Sequence, residues 1–228
     1  MTIHIVGTSH ILPLRQSLSN NGEGAGFEWY FANNTEYQAG EFIWTDEGLS
    51  HTAHGVTAIW EKLSRRRSVP IKAGDTVVAF GFDDRYDRYS FLAGNTDHVS
   101  SACRAQAMRD LVAESPALRM VALVRENQPR ARAIMVEPPL LSRSEQLRKF
   151  VDHMVLKHRL HELCSQHAAV AKRYDAGYLV QAVETLQIEG DYIYTREEFM
   201  APDGFHWGES GIETVRRDLM PALGLQAA

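Results

Sequence analysis

Residues 75–82 read "DTVVAFGF", an almost unbroken apolar run between an aspartate and a glycine turn. Alternation is missing from it, so it does not suit a sheet with one wet face; it predicts a central parallel strand buried on both sides. Working outward, "IHIVG" (3–7) is a β-branched run closed by glycine and predicts a first strand, followed by a helix over 11–19. "EFIWT" (41–45) is the expected second strand. "VTAIWEKLSRR" (56–66) carries Val56, Ile59, Trp60 and Leu63 at helical spacing. Beyond the central run come a helix over 102–114, a strand over 131–139 stopped by two prolines, one or two helices over 144–174, a last strand over 176–183 and a closing helix over 208–223. Loop or short extended pieces fill 185–205. Strand and helix thus take turns, which predicts an α/β fold with a parallel sheet, helices on both faces and right-handed crossovers.

Composition bounds the function. The 228 residues are 44% hydrophobic and 23% charged, as expected for one soluble domain over 1–228. A net charge of −5, with Arg65-Arg66-Arg67 as the sole basic block, gives no nucleic-acid footprint, and the triplet reads as a helix end. No apolar run reaches the ~20 residues that span a bilayer. Cys103 and Cys164 are too few and too far apart for a disulfide framework, and the opening "TIHIVGTSH" is not a signal peptide, so the cytoplasm is the expected compartment.

Open α/β sheets bind ligands beyond the carboxyl ends of their strands. Ser9 falls there, after Gly7-Thr8, at the start of a helix. Gly55 lies at the start of a later helix, Gly81-Phe82-Asp83-Asp84 at the end of the central run, and "DGFH" (203–206) after the last strand. A carboxylate and an imidazole three residues apart serve equally as a closed turn, a pair of metal ligands, or the orienter and base of a nucleophilic site. Ser9 offers the nucleophile that the last of these needs, because a serine hydroxyl requires a base within reach and that base a carboxylate partner; Ser9 also reads as an ordinary N-cap and Asp203-Gly204 as a plain turn. His158, His161, Cys164 and His167 recur every three residues, but steps of three drift around a helix, so a polar face is expected rather than a metal site. Trp29, Tyr30, Trp44 and Trp60 are expected in packing.

On these blocks the chain resembles the SGNH (GDSL-type) hydrolases: "GTSH" (7–10) in place of the Gly-Asp-Ser block, Gly55 in "HGVT", "GFDD" (81–84) in place of Gly-x-Asn-Asp, and "DGFH" in place of Asp-x-x-His. The resemblance implies a flavodoxin-like three-layer sandwich around a parallel sheet of about five strands. It also implies a Ser9–His206–Asp203 triad with an oxyanion hole from Ser9, Gly55 and the residue at 83, and no cofactor or metal. The implied substrate is a small-molecule or glycan O-acyl ester, cleaved by water or, in an acyltransferase, passed to a second alcohol. One departure bears on the chemistry. Asp83 stands where the family has an asparagine that donates to the oxyanion, and an ionised carboxylate only accepts. His51, His54 and Arg85 are the nearby alternative donors; a site without one would leave a binding protein.

Overall fold

The computed structural model describes residues 1–82, 100–149 and 154–225. Its central sheet has five strands, all parallel: β1 (Ile3–Gly7), β2 (Phe27–Phe31), β5 (Thr76–Phe80), β6 (Arg132–Val136) and β7 (Gly177–Leu179). Their spatial order is β2-β1-β5-β6-β7, so the run that predicts a central strand is the middle one. All five of its residues are buried. Counting only these five strands the order is 2-1-3-4-5, the flavodoxin-like winding, whose switch point lies at the carboxyl ends of β1 and β5.

Strand pleating divides the core in two. Ile3, Ile5, Val78, Phe80, Ile134 and Val136 point to one face, where they meet α1 (Ile11–Asn20) and α8 (Glu209–Ala222). The residues between them, Val6, Val77, Ala79, Ala133 and Met135 among others, point to the opposite face, against α3 (His54–Ser64), α4 (Ser101–Ala113), α5 (Pro116–Asn127) and α7 (Lys157–Arg173). Helix, sheet and helix make the three layers. Tyr30 and Trp60 are fully buried with their rings edge to face at 5.5 Å.

Two departures from the sequence reading stand out. The second sheet strand is "FEWYF" (27–31); "EFIWT" instead supplies β3 (Phe42–Thr45), which pairs with β4 (Gly48–His51) in an antiparallel hairpin set off after the short α2 (Asn34–Gln38). Asp46 and Glu47 turn this hairpin, with Gly48 at φ +113°. Helix α5 follows α4 directly where the sequence reading has no helix. Its start is nonetheless written in the chain, since Ser115 caps it from the side chain and Pro116 occupies its first turn. The polar stretch after β7 contains a second hairpin, β8 (Leu186–Glu189) with β9 (Tyr192–Thr195).

Candidate active site

Gly7 closes β1 because its neighbour is too near for any side chain: a Cβ there would collide with the Phe80 carbonyl of β5. The chain then turns sharply. Thr8 N–H donates to Phe80 O (3.4 Å) and its hydroxyl to Gly81 O (2.6 Å), tying the "GTS" turn to the end of the central strand. Thr8, at the position where the family pattern has aspartate, is therefore a buried clamp. Gly81 answers with φ +67°, and a Cβ on it would come within 2.5 Å of His10 Cβ. Ser9 sits between these constraints, part-buried, one turn ahead of α1. Among the described residues nothing accepts its backbone N–H.

The partner segment is built locally. Asp203 Oδ1 accepts the backbone N–H groups of Phe205 (2.9 Å) and His206 (3.0 Å), an Asx turn, while Gly204 takes φ +63°. Asp203 Oδ2 lies 2.6 Å from His206 Nδ1, and His206 Nε2 lies 2.8 Å from Ser9 Oγ. An ionised carboxylate only accepts, so Nδ1 carries the proton and Nε2 presents a lone pair to the serine hydroxyl. Burial pushes the Asp203 carboxyl up, but the bonds from the His206 ring and the two backbone N–H groups, with the attraction of the ring, outweigh it and hold it below its ordinary range. Its side chain is 51% exposed, so solvent screens much of that interaction.

Two further groups hold this segment, neither of them assigned from the sequence. His10, only 1% exposed, has its ring centre 5.0 Å from that of His206 and 5.4 Å from that of Phe205. Ser142, fully buried, donates its N–H to Gly204 O (3.0 Å), and its hydroxyl accepts the N–H of Glu145 (3.3 Å) to start α6 (Arg143–Lys149). The signal for it exists: "SRSE" (142–145) has the Ser-x-x-Glu form of a capping box. His10 carries no such signal, because its role depends on a loop 195 residues away in the chain closing over it.

Gly55 lies at the start of a helix, as the sequence reading has it: it is in the first turn of α3, where a Cβ would collide with the Glu36 carboxylate, but α3 follows the β3–β4 hairpin rather than a strand of the central sheet. The loop that follows the sheet strand beside β1 is Ala32-Asn33, and Ala32 N–H donates to Gly7 O (3.2 Å). Asp83, and with it Arg85, lies outside the described residues. His51 is buried edge-on against Phe42 (5.0 Å) and Tyr37 (5.6 Å), its Nδ1 accepting Ala53 N–H (3.1 Å), and burial holds its pKa below the usual histidine value. His54 is exposed at the head of α3. His167 turns inward to Glu137, and among the described residues no three His, Cys, Asp or Glu side chains converge as a metal site needs. Cys103 and Cys164 are free thiols, and no described helix is long and apolar enough to cross a membrane.

No family model and no curated protein matches the chain in sequence. Solved structures do match in shape. A GDSL-like lipase from Bacteroides thetaiotaomicron superposes with a TM-score of 0.54 at 11% identity, over 98% of this chain and 87% of the other. A provisionally assigned acylhydrolase from Bacteroides fragilis gives 0.55 at 11% identity, over 98% and 86%. At such identities the likeness speaks for the fold, and the parallel five-stranded sheet with helices on both faces agrees with it. The chain has the three-layer α/β fold of the GDSL-type (SGNH) hydrolases.

Proposed function

We propose that the protein is a serine esterase of the SGNH type acting on an O-acyl ester of a carbohydrate or small alcohol. The observation that carries this is the unbroken relay from Ser9 Oγ through His206 (2.8 Å) to Asp203 (2.6 Å) at the carboxyl end of β1. In the reaction Ser9 Oγ attacks the ester carbonyl as its proton passes to His206 Nε2. Asp203 keeps the ring in the right tautomer and stabilises the imidazolium. The proton then goes to the leaving alcohol, an acyl-serine remains, and water activated by the same imidazole releases the acid. The Ser9 N–H, unengaged among the described residues, supports a role as oxyanion donor, assisted by the positive end of α1. Gly55, packed on a carboxylate, is a poor second donor, since negative charge beside it would oppose the oxyanion.

The test is hydrolysis of p-nitrophenyl acetate by the wild type, Ser9→Ala and His206→Ala. Loss of at least a thousandfold in kcat in both variants is expected. Equal turnover by wild type and Ser9→Ala would remove the proposal.

A further inference from the structure

A second cavity, of about 270 Å³, opens between α7, the β8–β9 hairpin and the segment that follows β6. Leu140, Leu160, Val180, Leu186 and Ile193 form apolar walls. The surface beside it is unusually apolar: of the nine large hydrophobic residues exposed among those described, Val180, Val183, Ile188 and Tyr192 fall within residues 180–192. Val180 is both, lining the cavity and 53% exposed, so the apolar surface runs from the mouth inward.

The walls are also fixed in advance. Gln181 accepts Leu140 N–H (2.9 Å) and donates to the hydroxyls of Thr185 (2.9 Å) and Thr195 (2.8 Å), which pins the post-β6 segment, the post-β7 segment and the hairpin together. A ligand entering such a space need not organise it.

The cavity is lined by charge of both signs. Glu137 Oε1 is held by the His167 ring (2.6 Å) and the Tyr178 hydroxyl (2.7 Å). Lys157 and His161, one turn apart on α7, also line it. Lys157 is the first residue of α7, and its N–H donates to Asp191 O (2.8 Å).

We propose that this cavity binds an amphiphile with an apolar body and an anionic end, a medium-chain carboxylate being the simplest, with the chain between Leu140, Leu160 and Ile193 and the carboxylate at Lys157. The proposal does not depend on hydrolysis at Ser9.

Octanoate and octanol, alike in chain length and different in charge, are titrated calorimetrically into the full chain. The same is done with Ser9→Ala, Lys157→Glu and Val180→Asp, all checked for folding by circular dichroism. Octanoate should bind wild type and Ser9→Ala with the same affinity and more tightly than octanol does. Lys157→Glu should weaken octanoate at least tenfold and leave octanol within twofold, and Val180→Asp should weaken both. The proposal is overturned if neither ligand binds wild type at millimolar concentration. It is equally overturned if Ser9→Ala abolishes binding, which would put the ligand at the Ser9 site, or if Lys157→Glu leaves octanoate unchanged.

Discussion

Asp203 does two jobs with two oxygens, and a single-atom change separates them. Oδ1 holds the turn by accepting two backbone N–H groups, while Oδ2 faces the imidazole. In Asp203→Asn the carbonyl oxygen can keep the Oδ1 bonds, leaving the amide nitrogen opposite His206 Nδ1. An NH₂ group cannot accept, so Nδ1 must, and the ring proton moves to Nε2, the atom that has to take the proton of Ser9. The wrong tautomer costs roughly 10⁴ in kcat, about 5 kcal/mol of transition-state stabilisation. Stability should barely change, by about 0.5 kcal/mol or less, because the lost charge is half-exposed and screened. Asp203→Ala makes the contrast. It removes both backbone acceptor bonds, each worth about 0.5–1.5 kcal/mol, so with the exposure taken into account it should cost about 1–2 kcal/mol of folding free energy as well as activity. Initial rates on p-nitrophenyl acetate and urea unfolding of the three proteins measure both quantities. If Asp203→Asn keeps kcat within tenfold of wild type, Oδ2 does not set the tautomer; if it is as unstable as Asp203→Ala, Oδ1 does not hold the turn, and the reasoning fails.

Gly81→Ala combines a left-handed backbone with a Cβ 2.5 Å from His10 Cβ, close to the backbone where nothing flexible can yield. A loss of about 2 kcal/mol or more in urea unfolding is expected, together with lower ester turnover as His10 is pushed toward His206. Ser142→Ala should cost about 1 kcal/mol through the lost cap of α6, read as a drop in denaturation midpoint at unchanged m-value. His4 is buried between Asp75 (3.4 Å) and Glu28 (3.3 Å), and burial holds its pKa below the ordinary value despite both carboxylates. The unfolded chain therefore takes up a proton near pH 6.5 that the folded chain resists, so this histidine makes stability fall as pH drops below about 6.5. His4→Phe should flatten the stability profile between pH 6.5 and 5, and an unchanged slope would show that His4 does not contribute to it.

What the sequence alone determined is what depends on neighbours along the chain. The run at 75–82 declared itself central because it is apolar almost without a break, and burial on both faces follows from that without knowledge of any partner. "DGFH" announced an aspartate and a histidine within bonding reach because the turn that joins them is only four residues long and uses its own side chain to close. "GTSH" placed Ser9 at a strand's end by the same local logic. The tertiary structure decided the rest. "FEWYF" and "EFIWT" are equally short, aromatic runs, and which of them joins the sheet depends on where α1 returns the chain alongside β1; the other, followed at once by a tight turn, pairs within its own hairpin. Gly55 went with that choice: its helix follows the hairpin, and the glycine packs against Glu36. His10 over His206, Ser142 on Gly204 and the meeting of Ser9 with His206 join residues 62 to 197 positions apart. No periodicity records such contacts, because the energy that makes them comes from packing the two faces of the sheet, and only the folded chain brings their parts together.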